Sequence, residues 1–285
     1  MADLTGRDPA RDARTGAETD AERAERLQHG SSFGAIAASY DVHRPGYPDA
    51  AVRWVLEPVH GRRPLRVLDL AAGTGKLTTA LIGSLAGLGA ELTAVEPDPA
   101  MLAELRRALP AVRSMSGTAE EIPLPDGSID AVLAGQAMHW FDLDRAVPEL
   151  ARVLAPGGVL AGLWNADDDR VGWVDRLAEF SKRQASITVR RWQDGVGQDW
   201  RQRLTTGHGG EFGDPRVAEF ANGQPQTTDS LIATIATHSH YLNAPEADQP
   251  GLLARARELL NAEPATAAGE FVEPMVTVVV RAIRL

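Results

Sequence analysis

The chain has no cysteine among its 285 residues. Disulfides, thiolate metal sites and a cysteine nucleophile are therefore excluded, and a reducing, cytoplasmic setting is expected. Lysine is nearly absent, at Lys76 and Lys182 only, so almost all positive charge rests on arginine. Acids outnumber Lys and Arg by 39 to 29, a net charge of −10 that argues against a chain gripping nucleic acid through phosphates. No stretch approaches the roughly 20 apolar residues of a membrane helix, and the start lacks the apolar core of a signal peptide. Residues 1–30 alternate acids and arginines, with Leu4 and Leu27 as their only leucines. They are expected to form a solvated tail, weakly helical near Asp20 to Leu27, ahead of one domain over 31–285.

What is present begins with Val67-Leu-Asp-Leu-Ala-Ala-Gly-Thr-Gly75. Leu65 to Leu70 is a short, branched, apolar run of the kind that a parallel strand buried on both faces requires. Gly73 and Gly75 then allow a tight turn and the close approach of a ligand. Helical spacing resumes over Lys76 to Leu85 through Leu77, Leu81 and Leu85. A strand, glycine loop and helix in this order offer backbone amides and partial positive charge to a carboxylate or phosphate. A dinucleotide fingerprint would want a third glycine where Thr78 stands. Asp69, inside the strand end, suits a cationic group better than a pyrophosphate, which it would repel.

A second strand, Glu91 to Glu96, also ends in an acid, about 20 residues beyond the glycine loop, where a carboxylate can accept from both hydroxyls of a ribose. The string Asp69, Ala71, Gly73, Thr74, Gly75 and Glu96 resembles the first two motifs of the class I S-adenosylmethionine-dependent methyltransferases. The resemblance implies that Asp69 lies near the methionine part of the cofactor, that the loop lies along it, and that Glu96, followed by Pro97, holds the ribose. Met101 matches the apolar position that packs on adenine, and Gly117-Thr118-Ala119-Glu120 matches the adenine-edge loop. Here the chain departs from the family, which often has an acid where Thr118 stands; a threonine hydroxyl is a weaker, neutral acceptor. The resemblance further places Tyr40 and Arg44 in a segment folding over the cofactor, with Arg44 as a clamp for its carboxylate. S-adenosylhomocysteine is the implied product.

The strands near 65–70, 91–96, 112–116, 129–134 and 158–163 predict a parallel sheet with right-handed crossovers. They are preceded by a helical lead-in from Phe33 to Tyr40 and a helix from Asp49 to Glu57. Asp69, Glu96, Thr118 and Gln136 all fall at carboxyl ends of those strands and converge on one crevice. Beyond 165 the spacing predicts a helix over Val171 to Gln184, a strand over Pro215 to Ala221, helices over Asp229 to Tyr241 and Pro250 to Ala262, and a closing strand over Pro274 to Leu285. With the family's antiparallel last strand, the expectation is an α/β, Rossmann-like, seven-stranded, mostly parallel sheet with helices on both faces. A helical lid is expected after the fifth strand, with 166–214 and 222–270 contributing a substrate-side cap.

Methyl transfer from a sulfonium needs alignment and exclusion of water more than covalent help. A general base matters for a hydroxyl or amine acceptor and hardly at all for an ionised carboxylate. His139 follows the fourth strand, in Gln136-Ala-Met-His-Trp-Phe141, and is the candidate base, with lining the pocket as the preferred reading and structural packing as the third. This run looks like the branch of trans-aconitate methyltransferase-like enzymes, which methylate small acids. Trp140, Trp164 and Asn165 are expected to face the substrate, with ordinary core packing the alternative for Trp164. The histidines show no ligand spacing and no metal is expected. The reading is a methyltransferase, a monomer or homodimer, acting on an oxygen of a small molecule. Rival readings are a cyclase or isomerase using the same pocket, a non-catalytic partner protein, and a nicotinamide dehydrogenase.

Overall fold

The structure is a computed structural model that describes residues 45–181, 197–206, 210–236, 241 and 244–285. All belong to the compact unit Gly34–Leu285. The expected tail, the lead-in helix, Tyr40 and Arg44 lie outside the described residues.

The main sheet has seven strands: β1 (Arg66–Leu70), β2 (Glu91–Val95), β3 (Arg113–Met115), β4 (Ile129–Gly135), β5 (Leu154–Asp167), β6 (Arg216–Ala221) and β9 (Met275–Ile283), in the order β3-β2-β1-β4-β5-β9-β6. β1 to β5 pair in parallel, and β9 runs antiparallel between β5 and β6. From β1 the chain steps outward to β2 and β3, then returns to the other side as β4, so the strand order reverses between β1 and β4. In open sheets of this kind ligands bind at that reversal, beyond the carboxyl ends.

Helices cover both faces. On one, α1 (Asp49–Leu56) and α2 (Lys76–Leu85) pack Val52, Val55, Leu77 and Leu81 against Val67, Leu133 and Val159. On the other, α4 (Leu143–Val153) and α6 (Gly197–Thr205) place Val147, Leu150, Trp200 and Leu204 on Leu68, Val132 and Leu160. α3 (Pro99–Ala108) joins α1 and α2 on the first face, with Leu105 against Ala72 and Ala94.

β5 differs from expectation at its start. Leu154-Ala-Pro-Gly-Gly158 reads as a turn before a strand at 158, yet the strand begins at Leu154. The ladder to β4 slips there, pairing Ile129 with Leu154 but Ala131 with Val159. Gly157, at φ 70°, permits the irregularity.

A further apolar cluster is built by Trp173, Val174 and Leu177 of α5 (Gly172–Ser181), Leu231, Ile232 and Ile235 of α7 (Thr228–Ala236), and Ala256 and Leu260 of α8 (Gln249–Ala262). β7 (Gln224–Thr227) and β8 (Glu270–Glu273) form a separate antiparallel pair beside it, unforeseen because Gln-Pro-Gln-Thr lacks apolar alternation. β5 and β6 run the same way, so the excursion 222–274 leaves and re-enters at the carboxyl edge, where Met275 stands opposite Asp167 and Val276 opposite Ala221.

Candidate functional site

Alternation along β1 turns Val67 and Asp69 toward α2 while Leu68 and Leu70 face the other layer. Asp69 is therefore driven into the interior, 0% exposed. Its Oδ2 accepts the Thr78 hydroxyl at 2.5 Å. Its Oδ1 is buried with no hydrogen-bond partner. Burial pushes its pKa up to about 7, the Thr78 hydroxyl opposing and the nearby Glu96 carboxylate adding to the rise. Thr78 thus replaces a packing glycine with a donor that holds the acid.

After β1 the backbone takes left-handed conformations at Ala71, Gly73 and Gly75. Ala71, at φ 56°, is costly for a residue with a side chain and signals a constrained turn. Gly75 caps α2 without a side-chain hydrogen bond, and a Cβ there would come within 2.9 Å of Leu109 Cδ1. The start of α2 is consequently left to backbone amides.

Glu96, 4% exposed, faces the same loop. Its Oε2 accepts from the Gly73 amide and its Oε1 from the Asp98 amide, both at 2.8 Å. Burial raises its pKa, while these two amides pull it back. Asp98 in turn caps α3, accepting from Ala100 and Met101. Met101 closes over the loop, its Sδ 3.9 Å from where a Cβ on Gly73 would stand. Pro97 and Thr118 are exposed, Ala119 is buried, and Glu120 accepts the Asp142 amide at 2.8 Å, tying this loop to the start of α4.

Across the reversal, Gln136 also has a positive φ, 54°. Its side-chain nitrogen donates to the Asn165 carbonyl oxygen at 3.0 Å. Among the described residues the two left-handed non-glycine residues, Ala71 and Gln136, thus follow the ends of the two strands that flank the reversal. His139 lies in a 3-10 turn, Met138–Trp140, exposed and 4.8 Å centroid to centroid from the Trp140 ring. Its Nδ1 accepts a long 3.4 Å hydrogen bond from Trp164 Nε1.

Two of the residues weighed for the substrate side are buried. Trp164 is core, 3% exposed and edge-on to Trp200. Asn165 directs its carboxamide to Pro45, Gly46, Asn222 and Thr277 and not to an open site. Trp140 remains 36% exposed. Sequence reasoning missed Tyr47, whose ring lies against Gly135; its signal was a tyrosine held between Pro45 and Pro48. Among the described residues no three His, Asp or Glu side chains gather to hold a metal, and no helix is long and apolar enough to cross a membrane.

A methyltransferase-domain family model matches residues 68–162. An uncharacterized methyltransferase of Mycobacterium tuberculosis is 42% identical over 252 residues, covering 88% of this chain and 95% of that protein. A malonyl-[acyl-carrier protein] O-methyltransferase of Methylococcus capsulatus is 37% identical over 146 residues, covering 50% of this chain and 52% of that protein. A solved structure from Anaeromyxobacter dehalogenans, provisionally named a type II methyltransferase, aligns with TM-score 0.61 and 26% identity, covering 85% of this chain and 97% of that one. Identity carried across nearly the whole length of a methyltransferase, together with the glycine loop and paired acids, makes the conclusion direct: the chain belongs to the S-adenosylmethionine-dependent methyltransferase family.

Proposed function

We propose that the protein transfers the methyl group of S-adenosylmethionine to an oxygen of a small molecule, with a carboxylate as the favoured acceptor. The observation that carries the donor site is the pair of buried acids around the glycine loop, with Asp69 Oδ1 sealed from water and lacking a partner. An isolated buried acceptor of this kind is costly, and a donor cation such as the methionine ammonium removes the cost. When bound, S-adenosylmethionine supplies an electrophilic methyl on a positively charged sulfur. Asp69 holds the ammonium, the amides after Gly73, Thr74 and Gly75 follow the donor, and Glu96 accepts from the ribose with lone pairs left over from Gly73 and Asp98. Met101 packs on adenine, with Pro97, Thr118, Ala119 and Glu120 along its edge. Ala71 and Gln136 shape the crevice, and Tyr40 and Arg44 act from the preceding segment.

The carboxylate preference rests on His139. With Nδ1 accepting from Trp164, the neutral ring carries its proton on Nε2, so it offers an acceptor oxygen a donor rather than a base. An ionised carboxylate needs no base. This fits the trans-aconitate-like run at 136–141, and the O-methyltransferase name of the Methylococcus relative supports oxygen. We place the methyltransferase domain at 31–285, with α5 and 222–270 forming a cap over the acceptor next to Trp140, while α6, within the 166–214 expected for the cap, packs on the main sheet instead.

Thermal melting with S-adenosylhomocysteine, S-adenosylmethionine and NAD tests the proposal, followed by a methyl-transfer screen of small carboxylic acids. Ligand at 100 times its dissociation constant adds about 2.7 kcal/mol, a rise of roughly 5 to 10 °C for a domain of this size. A rise with the two sulfur nucleotides alone is expected. A rise with NAD alone sinks the donor assignment, and turnover confined to hydroxyl acceptors sinks the carboxylate preference.

A further inference from the structure

Asn165 stands at the carboxyl edge of β5, buried, with both ends of its side chain engaged. Its Nδ2 donates to the carbonyl oxygens of Pro45 (3.1 Å) and Gly46 (3.0 Å). Its Oδ1 accepts from Thr277 Oγ1 (2.6 Å) and Asn222 Nδ2 (3.0 Å). Asn222 Nδ2 also donates to the Gly46 carbonyl (2.9 Å), and Asn222 Oδ1 accepts from Gln224 at the head of β7 (2.8 Å). Two carboxamides and a hydroxyl, from β5, β9 and the β6–β7 junction, thus hold the backbone of a short loop. Pro45 has no N–H to offer, so the loop's carbonyls are the handles by which it is gripped.

What the loop carries explains why its placement matters. Tyr47 follows directly, and a Cβ on Gly135 would come within 2.8 Å of its Cζ. Gly135 continues the alternation of Ala131 and Leu133, so Tyr47 lies on the α1/α2 face, the same face to which β1 turns Asp69. Asn165 also accepts from Gln136 through its backbone oxygen. One residue therefore joins the loop carrying Tyr47 to the strained turn at the end of β4.

We propose that Asn165 and Asn222 are positioning residues of the donor pocket: they clamp the 45–48 loop so that Tyr47 walls the crevice at the carboxyl end of β4. The inference rests on the donor reading of that crevice. A residue acting through Tyr47 must lose its influence once Tyr47 is gone, which a residue serving stability alone would not do.

The experiment is calorimetric titration of S-adenosylhomocysteine into wild type, Asn165→Ala, Tyr47→Ala and the double variant. Each single change is expected to weaken binding about tenfold, and the double variant to bind no worse than the weaker single one, the signature of a shared interaction. Should Asn165→Ala fail to fold, Asn222→Ala and Thr277→Val each trim the clamp, and their smaller losses are likewise expected to vanish in the Tyr47→Ala background. Unchanged affinity in the clamp variants, or losses that multiply with Tyr47→Ala, overturns the clamp. Absence of binding to wild type overturns instead the donor reading on which it rests.

Discussion

Asp69 and Glu96 are both buried acids, but their neighbours set them different tasks. Burial, with one oxygen left unpartnered, outweighs the single Thr78 hydroxyl at Asp69, so its proton is retained to about pH 7 against an ordinary value of 3.8. Between those values the unfolded chain releases a proton that the folded chain keeps. The stabilisation is full below the ordinary value and is lost as pH rises through about 7, a change on the order of 4 kcal/mol. Asp69→Asn, which still accepts from Thr78, is expected to flatten the fall of melting temperature between pH 5 and 7 and to weaken S-adenosylmethionine. Equal slopes for wild type and variant would show that another group titrates. In wild type the donor's ammonium restores the carboxylate, so binding below pH 7 should release a proton, measurable as a buffer-dependent heat.

Glu96 already accepts from two amides, so its removal strips the loop as well as the ribose. Glu96→Ala is expected to cost about 1 to 3 kcal/mol of S-adenosylhomocysteine affinity, and Glu96→Gln, which keeps one accepting oxygen, less. Calorimetric affinities equal to wild type would remove the ribose assignment. The place of Glu96 beside the glycine loop was legible because a strand-end acid follows that loop at a set interval. The role of Asn165 was not, because its partners Pro45, Thr277 and Asn222 lie 120, 112 and 57 residues away and leave no local trace. For Trp164 the sequence left substrate wall and core open for a related reason: alternation gives the face a residue takes, and only the packing of Trp200 shows that this face is closed.

At the scale of elements, β1, β2, β4 and α2 fall almost where the sequence puts them, since parallel strands buried on both faces are continuous apolar runs and Gly75 marks the helix start. β7 and β8 escaped detection because polar four-residue strands carry no periodic signal. They are secured by Glu273, which accepts from Gln226, and by Phe271, which stands edge-on to Trp173 of the neighbouring cluster. The apolar cluster of α5, α7 and α8 is separate from the two that sandwich the main sheet, so damage to it should stay local. Leu260→Ala, at a fully buried position, is expected to remove about 2 to 5 kcal/mol from that cluster. Hydrogen exchange should quicken in α5, α7 and α8, acceptor turnover should fall, and S-adenosylhomocysteine affinity should stay within about twofold. Exchange quickening equally in β1 and β4 would show that the cluster and the sheet unfold as one unit.

For the molecule as a whole, the reversal of strand order between β1 and β4 gathers residues from positions 69 to 165 at one edge, a convergence that sequence order alone foretold once the strands were recognised. β9 was foreseen as an antiparallel closing strand, but not its return between β5 and β6, which bears on how the chain is made. Domains begin to fold from the N-terminal side during synthesis. When residue 221 leaves the ribosome, β1 to β5 already have their parallel neighbours, but β6 has none. β9, the strand it pairs with, begins at Met275. Until that segment emerges, β5 also presents an open edge of unpaired amides and carbonyls. The nascent protein therefore passes through an interval in which β1 to β5 are paired while β5 and β6 still present adhesive strand edges, the stage at which a holdase or a pause in translation would matter most.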